Sequence, residues 1–172
     1  MEIILALDQS ISKTGISLFE YKDGEDDFKL IQYELFVTKK GTTEEKIFQV
    51  ATKLRDLIEE FKPTRILLED IQLQVNVKTY KSLSQLQGIL FFICYAEHIK
   101  CEIVKPTVWR KELEIKGKKR NELKEKAKEF VFNKYGLTVN DDIAESICIG
   151  TYYFLRSDKD EKLLSVNSKS IL

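Results

Sequence analysis

Asp8, Glu69, Asp142 and Glu145 are the residues of this sequence best suited to chemistry. Asp8 ends the apolar run Ile3-Ile4-Leu5-Ala6-Leu7, and Glu69 ends Ile66-Leu67-Leu68. Asp142 and Glu145 stand three residues apart at the head of a segment that is apolar on nearly every side. A buried carboxylate costs several kcal/mol unless a cation compensates it, so four converging carboxylates imply a divalent-metal site. Singly, Asp8 also suits a turn-former and Asp142 a helix cap or first-turn residue. Glu145 has fewer alternatives, because Ile143, Ala144, Ile147, Cys148, Ile149, Tyr152, Tyr153, Phe154 and Leu155 surround it. Spacing of i, i+3 on a helix brings Asp142 and Glu145 to one face, about 5–6 Å apart at Cβ. Asp141 points roughly 100° away, and the choice between Asp141 and Asp142 as ligand stays open.

An all-oxygen donor set suits magnesium, with manganese as a substitute. Two such ions about 3.5–4 Å apart activate a water and stabilise the leaving oxygen in phosphodiester cleavage. Zinc is disfavoured: His98 is the lone histidine, and Cys94, Cys101 and Cys148 show no CxxC spacing. The odd cysteine count reads as reduced core thiols. No Ser-His or Cys-His pair offers a protein nucleophile.

The 172 residues make one ordinary domain, with the tail from about residue 157 expected to fray. Hydrophobic content of 43% and charged content of 33% fit a globular protein. No run reaches the roughly 18–20 apolar residues of a membrane span, and no signal peptide is evident, which implies a cytoplasmic protein. Net charge is zero, yet residues 100–134 carry 12 Lys/Arg against 6 Glu. Part of the matching negative excess is Glu20, Asp23, Glu25, Asp26 and Asp27, in an expected solvated turn. Such asymmetry can attract a phosphate backbone despite a neutral total.

Residues 2–8 read as a strand buried on both faces, because the apolar run is continuous. Residues 14–21 alternate as a second strand and 30–37 form a third, giving an antiparallel meander. A helix from Thr43 buries Ile47, Val50, Ala51, Leu54, Leu57, Ile58 and Phe61, and stops before Pro63. Residues 65–69 form a short strand, most simply parallel to the first. Residues 79–98 read as a helix with Leu83, Leu86, Ile89, Leu90, Ile93 and Ala96 inward. A further parallel strand spans 101–104, a basic irregular stretch 105–119, a charged helix 120–135 closed by Gly136, and a last helix about 141–156. The result is one α/β domain on a mixed five-stranded sheet flanked by helices. Asp8 and Glu69 then lie side by side at strand carboxyl ends, the edge where open α/β sheets hold ligands.

These motifs resemble the RuvC family of Holliday junction resolvases, within the RNase H-like superfamily. The family's opening strand ends in Asp before a turn and a Gly, here Ile4-Leu5-Ala6-Leu7-Asp8 and Thr14-Gly15. Its second signature is a strand-end Glu, an Asn, and a helix with a Leu/Gln/Gly motif. Here these are Glu69, Asn76 and Leu83-Ser84-Gln85-Leu86-Gln87-Gly88. Its third, Asp-x-Ala-Asp, is matched by Asp142-Ile143-Ala144-Glu145, with Glu for the commoner Asp. The resemblance runs from about residue 3 to 155. It implies a magnesium-dependent, homodimeric endonuclease nicking four-way DNA junctions, with Asp8, Glu69, Asp142 and Glu145 as catalytic metal ligands. Arg110 and Lys124 fall near two family lysines and inherit a role toward DNA and developing charge. Gln72 stands where many members carry an aromatic, which implies a different hold on the junction. The Trp109-Arg110 pair looks more like phage-encoded members, whose setting would be the host cytoplasm.

Lys116, Lys118, Lys119, Arg120 and Lys124, with Lys126 and Lys128, suit phosphate contacts that position a duplex without reading bases. They equally suit a solvated helix face supported by pairs such as Glu122–Lys126. Trp109 reads as core, with stacking on an exposed base as the alternative. Three rival functions stand beside the nuclease. An ATPase of the actin and heat-shock type shares the opening motif but needs two such subdomains. A non-catalytic branched-DNA-binding module could keep the fold, and an RNase H-like hydrolase could act on another nucleic acid, such as an RNA–DNA hybrid.

Overall fold

The computed structural model describes residues 2–22, 28–72 and 76–169, with side chains through residue 156. The acidic turn positions Asp23, Glu25, Asp26 and Asp27 lie outside the described residues. Three strands come first, β1 (Glu2–Asp8), β2 (Lys13–Tyr21) and β3 (Phe28–Val37), followed by α1 (Thr43–Phe61) and β4 (Arg65–Glu69). Then come α2 (Val77–Ala96), β5 (Lys100–Val104), α3 (Pro106–Glu112), α4 (Arg120–Tyr135) and α5 (Asp141–Lys169). The five strands form one sheet in the order β3-β2-β1-β4-β5. β1 pairs antiparallel with β2 and parallel with β4, and β4 pairs parallel with β5.

The continuous apolar run of β1 reflects burial on both faces. Ile4 and Ala6 face one core with Phe19, Leu67 and residues of α3, α4 and α5. Leu5 and Leu7 face a second core with Ile16, Leu18 and residues of α1 and α2. β1 is thus the central strand between two helical layers, and its carboxyl end cannot drift. α1 is started by a capping box between Thr42 and Glu45 and ended by Lys62 at φ 48° ahead of Pro63. Gly136 at φ 70° closes α4.

The structure differs from the sequence reading in three places. Residues 105–119 are not wholly irregular: Pro106 at the first helical position starts α3, which buries Trp109 completely. On α2, Leu86, Leu90, Ile93 and Cys94 face the core, whereas Ile89 and Ala96, expected inward, are exposed, as are Phe91, Phe92 and Tyr95. The periodicity could not separate a core face from an apolar outer face, since both are present on one helix. The last helix continues to Lys169, well past the expected end near residue 156. Cys94, Cys101 and Cys148 are free thiols, two of them buried. Among the described residues no helix is long and apolar enough to cross a membrane.

Candidate active site

Parallel pairing sets Leu7 beside Leu68, so Asp8 and Glu69 emerge next to each other at the carboxyl ends of neighbouring strands. On the other side of β1, Asp8 is paired with Gly15. A Cβ on Gly15 would lie 1.9 Å from the backbone oxygen of Asp142, so only glycine lets the head of α5 reach β2. Asn140 caps that head, its Oδ1 accepting from the Ile143 N–H at 2.9 Å. Capping therefore does not consume Asp142, which is free to face the cleft. One turn further along α5, Glu145 is buried at 5% exposure. All four carboxylates line one open cleft of about 440 Å³, together with Gln72, Arg110, Arg120 and Lys124.

Glu69 is the most firmly held of the four. The Gln9 amide pairs with its backbone twice, donating Nε2 to the Glu69 oxygen at 2.6 Å and accepting the Glu69 N–H at 3.0 Å. Gln87 of α2 donates to the same oxygen at 2.9 Å. At the side chain, the Trp109 indole N–H donates to Oε1 at 3.1 Å. Arg110 Nη2 pairs with Glu145 Oε1 at 2.7 Å and lies 3.9 Å from Glu69 Oε1. Lys124 of α4 is bonded to Asp141, which turns Asp141 toward α4 while Asp142 lines the cleft.

The site carries more negative charge than its cations offset. Burial, then repulsion from Glu69, Glu145 and Asp142, holds the Asp8 carboxyl well above its ordinary value. Burial and the Glu145 charge push Glu69 up to about 7, against the pull of Arg110 and the Trp109 bond. Asp142 is raised by burial and by its neighbour Asp141, while the bond from Lys124 lowers Asp141. Burial alone would lower Lys124, but the bond to Asp141 and the nearby carboxylates raise it. Among the described residues, no three acidic, histidine or cysteine side chains stand close enough to hold one ion as they are. Four oxygen-donor groups with uncompensated charge, with no imidazole or thiolate beside them among the described residues, fit hard divalent cations better than zinc.

The sequence-predicted cations divide. Arg110 and Lys124 turn inward to the carboxylates, and Arg120 lines the cleft mouth. Lys116, Lys118 and Lys119 are exposed on the segment between α3 and α4. Glu122 turns back to the N–H groups of Lys118 and Lys119, at 2.8 and 3.4 Å, and so shapes this segment. Gln9 and Gln87 escaped the sequence reading, although one follows Asp8 and the other lies within the α2 motif. Their amides substitute for backbone partners where the strands end, a role that periodicity does not mark.

The sheet order and the carboxylates at its edge define an RNase H-like protein. The family model for "Crossover junction endodeoxyribonuclease RuvC" matches residues 4–148. The chain belongs to the RuvC family. A curated member from Alkaliphilus metalliredigens is 25% identical over 150 residues, covering 86% of this chain and 89% of that protein. One from Caldicellulosiruptor saccharolyticus is 20% identical over 155 residues, covering 90% and 93%. The fold is shared with Thermus thermophilus RuvC solved with a Holliday junction substrate, at TM-score 0.74 and 12% identity over 91% of this chain and 96% of that one. It is also shared with the Fowlpox virus resolvase solved with Holliday junction DNA, at TM-score 0.62 and 22% identity over 88% and 96%.

Proposed function

We propose that this protein is a divalent-metal-dependent endonuclease that resolves four-way DNA junctions by nicking phosphodiester bonds. The observation that carries this reading is the convergence of Asp8, Glu69, Asp142 and Glu145 on one cleft, with repulsion that Lys124 and Arg110 leave uncompensated. These four side chains would hold magnesium, with manganese able to replace it. Bound there, such ions supply an activated water and stabilise the oxygen that departs. Gln9 and Gln87 keep the Glu69 backbone in place, and Gly15 lets Asp142 come close to Asp8. Lys124 faces the cleft where charge builds on the phosphate, a place where a fixed cation lowers the barrier. Asp142 is favoured over Asp141 as a ligand, because Lys124 already engages Asp141.

Lys116, Lys118, Lys119 and Arg120 would grip phosphates beside the cleft, a salt-sensitive and sequence-independent contact. A homodimer fits the outer face of α2, where Phe91, Phe92 and Tyr95 are 46%, 68% and 78% exposed, with Phe48 of α1 72% exposed. Such a pair could present one cleft to each of two strands, in the cytoplasm where junction DNA forms. The test is incubation with synthetic four-way, flap and linear duplex DNA, with and without magnesium. Magnesium-dependent paired nicks in the four-way substrate are expected. Binding without cleavage in magnesium and in manganese would leave only a DNA-binding module.

A further inference from the structure

We infer that Trp109 is a positioning residue for Glu69, a conclusion that rests on the proposed metal site. A buried indole needs a partner for its N–H, and a backbone carbonyl would satisfy it. Here the partner is the carboxylate Oε1 of Glu69, at 3.1 Å. Trp109 is 0% exposed and belongs to the core shared by β1, β4, α4 and α5, so its ring has no freedom to follow a moving carboxylate. The Arg110 guanidinium covers the ring, 4.7 Å from its centroid, and approaches the same Oε1 at 3.9 Å. Both contacts fall on one oxygen, so Oε2 is the oxygen this arrangement presents to a cation.

Glu69 is therefore fixed at both ends, its backbone by two glutamine amides and its carboxylate by the indole. A free glutamate side chain must lose rotamer freedom on binding an ion, and the Glu145 charge repels the ionised Glu69 carboxylate. The indole bond meets that cost before the ion arrives. Partners of this kind outside the ligand set typically alter metal affinity or activity by about 10–100-fold.

Trp109 is the single tryptophan of the chain, so replacing every tryptophan during expression alters this position alone. 3-Benzothienylalanine substitutes sulfur for the N–H while keeping the fused-ring shape, which removes the bond without opening a cavity. Calorimetric Mn2+ titration should give a dissociation constant weakened by roughly 10–100-fold, and cleavage kcat should fall with little change in KM for the junction. Trp109→Phe should show the same metal loss together with a lower melting temperature. A purely structural tryptophan would lower the melting temperature and leave the Mn2+ constant untouched. An analogue protein with natural Mn2+ affinity and kcat overturns this inference alone. A natural protein that binds no Mn2+ overturns the metal site and this inference with it.

Discussion

Gly15→Ala should disable the site from outside the set of charged residues. The added Cβ would sit 1.9 Å from the Asp142 oxygen and 2.3 Å from its carbonyl carbon, where ordinary contact begins at 3.4 Å. Both obstacles are backbone atoms of Asp142 in the first turn of α5, and the new Cβ would be fixed to a sheet strand, so neither side can rotate away. The head of α5 and β2 must then part by about 1.5 Å. Overpacking of this kind costs about 1–3 kcal/mol, which for a chain of this size lowers the melting temperature by about 2–4 °C per kcal/mol. The chemical cost is larger, because Asp142 moves away from Asp8, the residue paired with Gly15. A shift of about 1 Å in a catalytic group can cost about 100-fold in rate. Single-turnover cleavage of a four-way junction, run well below the variant's melting temperature, should fall at least that far. Junction binding in EDTA should change little. A variant that cleaves within about twofold of the natural rate and melts at the same temperature would refute the claim that this approach sets the site.

Other consequences follow from the same geometry. Without metal, the folded state keeps the Glu69 proton up to about 7, while the unfolded chain loses it near 4.5. The folded state thus binds more protons between those values, so stability should fall as pH rises through that window, by on the order of 3 kcal/mol. Asp8, raised by burial as well, adds to the decline. Glu69→Gln should therefore make it shallower without abolishing it, melt higher than the natural protein at pH 8 in EDTA, and lose cleavage; an equal decline in both proteins would contradict the assignment. Replacing Lys116, Lys118 and Lys119 together by Ala should make the slope of log K against log salt shallower by about 2–3, with an unchanged slope showing that they touch no phosphate. Phe92→Glu with Tyr95→Glu should convert the protein to monomer in sedimentation velocity, and an unaltered mass would place the subunit contact elsewhere.

Much of this architecture was legible because burial leaves a periodic trace. The unbroken apolar run of β1 marked a central strand, and connectivity then placed β4 beside it, which brought Asp8 and Glu69 together. Asp142 and Glu145 were legible as an i, i+3 pair on one helix face, and Glu145 as buried because that helix is apolar on nearly every side. What remained hidden depends on direction rather than period. Arg110 and Lys116 read alike as basic residues, yet one turns inward to Glu145 and the other stays exposed. Trp109 read as core and is core, but the sequence carried no sign that its N–H would find Glu69. The outer face of α2 was absorbed into the predicted inner face at Ile89, because apolar residues on opposite sides of one helix blur its pattern.

The most direct measurement is anomalous scattering from crystals soaked in manganese, because it locates cations without relying on activity. Manganese peaks are expected within ligand distance of Asp8, Glu69, Asp142 and Glu145, with Arg110 moved off Glu145. Crystals that take up manganese at other positions while these four side chains keep their Arg110 and Trp109 contacts would contradict it.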